Sequence, residues 1–228
     1  MRLVLLHSPL LGPLCWQPVC KTLALRGLDV EAPAWPKLST LAVDCYAGLA
    51  NAMAATIDAH GTAPAILVAH SGAGPLLPSV AALARTPVAG VIYCDAILPH
   101  PGLSWFDTAP PELRMQLRVG AEDGRLPSWD RWWPPGSLER LIPDEPLRTA
   151  LLAELEPIPI DYFEELAPEL EFEPPTAFLQ LSGAYDDESR LAGRQGWPVV
   201  RLPLHHLAML THVEGVGGPL ESLASRLC

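Results

Sequence analysis

The sequence contains one serine whose surroundings suit a nucleophile, Ser71. The apolar run from Ala65 to Ala69 before it predicts a buried strand, and Pro75 to Arg85 after it predicts a helix. Between them, Gly72 and Ala73 are small enough for a sharp turn. A strand, a tight turn and a helix can hold a serine hydroxyl out for attack on a carbonyl carbon. The pattern predicts acyl transfer at Ser71, with a serine that merely caps the helix as the alternative.

A serine hydroxyl is a weak nucleophile until a base removes its proton, so Ser71 needs a histidine partner. His206 follows the last predicted strand and is the candidate base, with its neighbour His205 as the competitor. His7 and His70 also flank the presumed site, and we expect both to be core histidines bonded to nearby backbone.

A carboxylate should hold the histidine in its working tautomer and stabilise its cation. Asp186 comes just past the fifth predicted strand and is the first choice for this role. Asp95, which ends the fourth strand, and Asp187 are the alternatives. Asp186 could instead only cap the helix that follows it.

The elements that must position these residues alternate between strands and helices. Strands without polar alternation, separated by helices, predict a parallel sheet covered on both faces. The predicted fold class is therefore α/β, a three-layer sandwich with a mostly parallel six-stranded sheet. The strands are predicted at Arg2–His7, Leu28–Ala32, Ala65–Ala69, Val88–Cys94, Thr176–Leu181 and Pro198–Leu202, and the helices at Trp16–Arg26, Thr40–His60, Pro75–Arg85, Asp187–Gln195 and from Leu207 onward.

The alternation breaks between the fourth and fifth strands. Residues 99–175 are rich in proline and tryptophan and show no strand pattern, which predicts a helical cap inserted into a core of residues 1–98 and 176–228. Trp105, Trp132 and Trp133 are candidates for an apolar wall that binds substrate, although they could equally fill the cap's own core. Short helices are predicted at Pro111–Val119, Glu145–Leu155 and Asp161–Leu166.

Composition excludes several classes of protein. A net charge of −11 argues against nucleic acid or an anionic membrane as partner. No apolar run is long enough to span a membrane, and no signal-type segment opens the sequence. The five cysteines are odd in number and lack C-x-x-C spacing, so we expect free thiols in the cytoplasm. The sequence is compatible with a homodimer.

These residues together resemble the α/β-hydrolase superfamily over nearly the whole chain, most specifically in the segment from His206 to Val216. The resemblance is to the small branch that contains plant-type methylesterases and hydroxynitrile lyases, and to short bacterial hydrolases. It implies a Ser71–His206–Asp186 triad under a helical cap, and it selects His206 over His205. It implies neither a cofactor nor a metal ion.

One departure from the family bears on chemistry. The family's oxyanion hole uses two backbone N–H groups, and Gly72 can supply the first. The second would fall at Pro9, which has no N–H. Losing one such donor can cost about 10²- to 10³-fold in rate. Either Leu10 or Leu11 donates after a shift of the loop, or the Ser8 hydroxyl substitutes, or the hole is incomplete.

Three functions are compatible with this pattern. A serine hydrolase acting on an ester or thioester of a small hydrophobic substrate is the first. A non-hydrolytic lyase or cyclase, with the histidine–carboxylate pair as general base, is the second, and Pro9 keeps it open. A ligand-binding or signalling protein with slow turnover is the third, because a fold does not fix a function.

Overall fold

The computed structural model describes residues 2–41 and 44–227 and places a parallel sheet at their centre. All six predicted strands are present, and two further strands of two residues each occur in the 99–175 segment. The strands are β1 (Arg2–Leu6), β2 (Asp29–Glu31), β3 (Ala65–Ser71), β4 (Val88–Ala96), β5 (Arg125–Leu126), β6 (Ile158–Pro159), β7 (Thr176–Gln180) and β8 (Val199–Arg201).

The main sheet has the order β2-β1-β3-β4-β7-β8, and every neighbouring pair is parallel. The apolar strands β1 and β3 lie side by side inside the sheet and are buried throughout. Both faces of these strands are covered, so their side chains are buried whichever way they point, which explains why they lack polar alternation. The expected α/β class with a six-stranded parallel sheet is confirmed.

The helices cover this sheet. They are α1 (Gln17–Leu25), α2 (Cys45–Ala59), α3 (Leu77–Leu83), α4 (Trp105–Thr108), α5 (Pro111–Val119), α6 (Ser137–Leu141), α7 (Glu145–Leu152), α8 (Asp161–Glu164), α9 (Asp186–Arg194), α10 (Ala208–Thr211) and α11 (Val213–Arg226). Helix α1 packs against α11, and α2 packs against α3. The chain turns back after β2, so right-handed crossovers put these two pairs on opposite faces of the sheet.

Some element boundaries differ from the prediction. The helix predicted over 40–60 begins at Cys45; residues 42 and 43 of that prediction lie outside the described residues. The predicted C-terminal helix is two helices that meet at His212. Four cysteines are free thiols, as expected, whereas the fifth, Cys228, lies outside the described residues.

The 99–175 segment runs between the neighbouring strands β4 and β7 and holds α4 to α8. The expectation of no strand there is wrong, because β5 and β6 form a small antiparallel pair too short to leave a sequence pattern. An antiparallel bridge between Ser104 and Leu166 joins the two ends of the segment. Beside it, Gly102 N–H donates to Ala167 O, and Ala167 N–H donates to Leu103 O, both at 2.9 Å. The division into a core and a cap at the stated boundaries stays a prediction.

Three glutamates of this segment hold it to the rest of the chain. Glu154 accepts a hydrogen bond from Leu14 N–H, and Glu156 accepts from the backbone and hydroxyl of Ser39. Glu165 accepts from the backbone N–H groups of Cys45 and Tyr46 at the start of α2. These N–H groups at the starts of helical turns would otherwise lack partners. Within the described residues, no helix is long and apolar enough to cross a membrane.

Candidate active site

Ser71 ends β3 in a left-handed backbone conformation, with φ of 56°. A non-glycine residue is rarely found there, and such strain is typical of functional turns. The chain passes close to its surroundings just after the serine, since a Cβ on Gly74 would lie 1.9 Å from the Ile97 carbonyl oxygen. Ser71 is 8% exposed, and its side chain faces a cleft. The sequence-predicted sharp turn is therefore present.

Asp95 lies at a second irregularity, beside Ser71 on the neighbouring strand. His70 pairs with Cys94 but Ser71 pairs with Ala96, so Asp95 is the extra residue of a β-bulge. Its φ is 46°, also left-handed. The bulge interrupts β4 at its carboxyl end, which is where ligands bind in parallel sheets of this type.

The Asp95 carboxylate is the partner of His206. Its Oδ2 lies 2.9 Å from His206 Nδ1, and its Oδ1 accepts from Leu181 N–H at 2.8 Å. Ser182 donates twice, from its backbone N–H to Oδ1 and from its hydroxyl to Oδ2. Asp95 is fully buried. Burial opposes its ionisation, but the hydrogen bonds and charge of His206 and the Ser182 and Leu181 donors together hold the pKa of Asp95 below its usual value.

The prediction that Asp186 pairs with His206 is wrong. Asp186 is exposed on the first turn of α9 and accepts a hydrogen bond from the Gln180 side chain. Asp187 is also exposed and forms an ion pair with Arg190. The bulge in β4 brings the second candidate, Asp95, to the imidazole instead.

His206 presents its other nitrogen to the cleft. Because Nδ1 faces the carboxylate, Nδ1 carries the proton and Nε2 keeps its lone pair when the ring is neutral. No hydrogen bond joins Ser71 Oγ to His206 Nε2; the partner of Ser71 Oγ is the Tyr185 hydroxyl, at 3.3 Å. Such contacts are often loose in ligand-free structures and tighten when substrate binds.

Three aromatic rings surround the His206 imidazole. The Tyr185 ring is nearly parallel to it, with centroids 5.2 Å apart and planes 10° apart. The His70 ring lies at 4.4 Å and the Trp129 ring at 6.2 Å. Sequence reasoning did not single out Tyr185 for the site; the available signal was its place in the loop after β7, directly before Asp186.

Two further histidines, His7 and His70, bond to nearby backbone, as expected. His7 Nδ1 donates to Ser8 O and Nε2 accepts from Trp35 N–H, while burial lowers its pKa to about 4. His70 Nε2 donates to His206 O, and burial first, then the His206 charge, hold its pKa well below the usual value. The competitor His205 contacts Thr211 rather than a carboxylate.

The candidate oxyanion donors lie at the start of the loop after β1. A Cβ on Gly72 would lie 3.1 Å from Ser8 Oγ, so that hydroxyl stands beside the residue after the serine. Leu10 N–H points to Ser8 Oγ at 3.3 Å, and Leu11 N–H donates to Ser8 O at 2.9 Å. Pro9 supplies no donor. The hydroxyl proton of Ser8 has no acceptor among the described residues, so it is free to meet a bound oxygen.

The cleft in front of these groups has a volume of about 630 Å³. Trp105, Trp132 and Trp133 line it, together with Trp129 and the side chains of the serine site. The tryptophans also fill the segment's interior, since Trp105 packs edge-on against Phe163 at 4.9 Å and Trp132 is 5% exposed. The tryptophans therefore both line the cleft and fill the interior of the segment, and their contact with substrate stays a prediction.

The parallel sheet, with Ser71, Asp95 and His206 brought together at its carboxyl end, is an arrangement typical of enzymes with an α/β fold. The profile of the alpha/beta hydrolase family matches residues 3–219, and the chain belongs to that family. Among curated protein sequences, no relative matches.

Solved structures share the fold at low sequence identity. An extracellular alpha/beta-hydrolase from a Paenibacillus species, described as sharing structural and functional homology with tobacco salicylic acid binding protein 2, superposes with a TM-score of 0.78 at 17% identity, covering 98% of both chains. A pyrethroid hydrolase from Sphingobium faniae gives 0.75 at 21% identity, covering 99% of this chain and 97% of its own. Tomato methylketone synthase I with 2-tridecanone gives 0.70 at 17% identity, covering 100% and 98%. These similarities show the fold alone, so the reaction has to be inferred from the residues of the site.

Proposed function

We propose that this protein is a serine hydrolase that cleaves an ester or thioester of a small hydrophobic substrate. The observation that carries the proposal is the contact between the buried Asp95 carboxylate and His206 Nδ1, beside the strained turn that holds Ser71. Four hydrogen-bond donors keep this buried carboxylate ionised, so it can orient His206 and stabilise the cation that forms when His206 takes a proton.

In the proposed mechanism, His206 Nε2 takes the Ser71 proton while Oγ bonds to the substrate carbonyl carbon. The carbonyl oxygen becomes an oxyanion, which accepts hydrogen bonds from Gly72 N–H and the Ser8 hydroxyl. The bond to the leaving oxygen or sulfur then breaks, and His206 returns the proton to the leaving group. Water attacks the acyl-enzyme with the same base, which releases the acid and restores Ser71.

The walls of the cleft support an apolar acyl or leaving group. Four tryptophans and Leu113, Leu138 and Leu141 line it, so apolar contact dominates there. Each 50–60 Å² of apolar surface that a substrate buries is worth about tenfold in affinity. One protein with this fold is a pyrethroid hydrolase, as its name states, which supports hydrolysis here.

The deciding experiment combines labelling with turnover. The protein is incubated with a fluorophosphonate, the adduct is located by mass spectrometry, and p-nitrophenyl ester hydrolysis is measured in parallel. We expect an adduct on Ser71, and Ser71→Ala should lose both adduct and turnover. The matched control is Ser225→Ala, a helical serine that bonds only Glu221 O and should behave as wild type. A wild-type protein without adduct or turnover would refute the proposal.

The second candidate is a lyase or cyclase that uses the His206–Asp95 pair as general base. The absence of a backbone donor at Pro9 favours it, because such chemistry needs less oxyanion stabilisation, and methylketone synthase I shares the fold. This candidate is preferred if Ser71→Ala keeps activity on the natural substrate while His206→Ala loses it.

A further inference from the structure

The Tyr185 hydroxyl is the one group in hydrogen-bond contact with Ser71 Oγ among the described residues. It is supplied by the last residue of a short turn, Gly183–Tyr185, which follows β7 and leads into α9. Neither the triad nor the oxyanion donors described above give this hydroxyl a role. Its contact with Ser71 Oγ, the proposed reacting oxygen, suggests that the hydroxyl has a role in the reaction.

Two contacts fix the tyrosine relative to the reacting groups. Its ring stacks on the His206 imidazole with planes 10° apart, and its hydroxyl reaches Ser71 at 3.3 Å. One rigid side chain therefore spans both the proposed base and the proposed nucleophile. An aromatic face next to the imidazole also favours the cation that forms when His206 takes a proton.

Burial raises the pKa of Tyr185 above its ordinary value, with a smaller opposing effect from the Ser71 hydrogen bond. The phenol therefore keeps its proton at neutral pH. In the resting protein either oxygen can donate across the 3.3 Å contact. Once the Ser71 proton has moved to His206, only the tyrosine proton remains between the two oxygens, and Tyr185 must be the donor.

We infer that Tyr185 is a further catalytic residue, whose hydroxyl donates a hydrogen bond to Ser71 Oγ whenever that oxygen carries negative charge; the inference rests on the proposed hydrolase function. In acylation, the serine proton passes to His206 and Oγ bonds to carbon. In deacylation, the bond from Oγ to the acyl carbon breaks, and Oγ takes its proton back from His206. The phenolic proton stays on Tyr185 throughout, so no further acid or base is consumed.

The test replaces Tyr185 by phenylalanine in the full-length protein, which keeps the ring on His206 and removes only the hydroxyl. Hydrogen bonds to charged groups predict a roughly 10- to 100-fold loss in kcat for a p-nitrophenyl ester. The rate of fluorophosphonate labelling should fall by a similar factor, because there too Oγ loses its proton to His206, bonds to phosphorus and expels fluoride. KM and Tm should stay at the wild-type values.

The matched control is Tyr93→Phe, which removes the hydroxyl of a buried tyrosine that stacks on Trp197 outside the cleft. Tyr93→Phe should retain wild-type rates. If Tyr185→Phe also turns over and labels like the wild type, the role of Tyr185 is refuted while the hydrolase function stands. A loss in Tyr185→Phe that comes with a lower Tm and a higher KM refutes it as well, because that pattern marks general disorder. If the wild type itself neither labels nor turns over, both proposals fall together.

Discussion

The two residues that bear the proposed nucleophile and acid share an unusual backbone conformation. Ser71 and Asp95 both have positive φ, at 56° and 46°, and they lie on neighbouring strands at one point of register change. Each such residue costs on the order of 1–3 kcal/mol of strain and persists only where the surroundings hold it. The hydrogen bonds from Leu181 and Ser182 to the Asp95 carboxylate provide part of that support.

The first prediction concerns the acid. Asp95→Asn keeps the shape of the side chain but favours the wrong histidine tautomer, so kcat should fall by about 10⁴-fold, as in serine proteases with this change. Asp186→Asn removes only an exposed carboxylate and should leave kcat near the wild-type value. Ester hydrolysis by both variants measures the difference. A large loss in Asp186→Asn with normal activity in Asp95→Asn would reverse the assignment.

At the scale of elements, the close approach between the serine turn and the end of β4 joins the two halves of the site. Ile97 N–H donates to Ser71 O at 3.1 Å, and the Ile97 carbonyl lies against Gly74. The strand end that carries Asp95 is therefore packed directly on the turn that carries Ser71. A displacement of the serine turn therefore also displaces the end of β4, and the reverse holds as well.

The second prediction follows from that contact. Gly74→Ala would place a methyl group 1.9 Å from a backbone oxygen, so the turn and β4 must move apart. We expect a loss of about 1–3 kcal/mol in the free energy of unfolding, and a lower kcat. Urea denaturation and ester hydrolysis measure the two effects.

The control for this variant lies in α9. Gly193 has open space around its Cβ position, so Gly193→Ala should gain about 0.5–1 kcal/mol in unfolding free energy with normal activity. Equal effects of the two substitutions would show that the contact at Gly74 is unimportant.

How far the sequence predicts the structure also differs between elements. The six strands and the helices around Ser71 follow from apolar runs and turn residues, because these patterns reflect local burial. The position of Asp95 does not follow, since a one-residue bulge depends on the register between β3 and β4 and leaves no signal in β4 alone. The contact between Tyr185 and Ser71 joins residues 114 positions apart and arises only from tertiary packing.

At the scale of the whole molecule, the stability of the protein should depend on buried neutral histidines. Burial lowers the pKa of His7 from 6.5 to about 4, and burial also places that of His70 well below its ordinary value. Below pH 6.5 these two histidines bind protons in the unfolded chain but stay neutral in the folded chain. Stability is therefore fully present above about pH 6.5 and is lost as the pH falls toward 4.

The third prediction quantifies this loss. His7 alone should contribute about 3 kcal/mol of lost unfolding free energy between pH 6.5 and 4. In His7→Asn the amide can still donate to Ser8 O but cannot titrate, so the decline over this range should be shallower than in the wild type. Urea denaturation at several pH values measures both slopes. Parallel slopes would contradict the prediction.

The antiparallel bridge between Ser104 and Leu166 has a practical consequence for protein engineering. The side chains proposed to react, on Ser71, Asp95, Tyr185 and His206, all lie outside the stretch that this bridge encloses, whereas four tryptophans of the cleft lie inside it. A combinatorial library confined to residues 105–165 therefore varies the substrate-facing wall while every reacting group keeps its anchoring strand. We expect the bridge to mark two splice points for exchanging this stretch, provided that Glu154, Glu156 and Glu165 keep their hydrogen bonds to the rest of the chain.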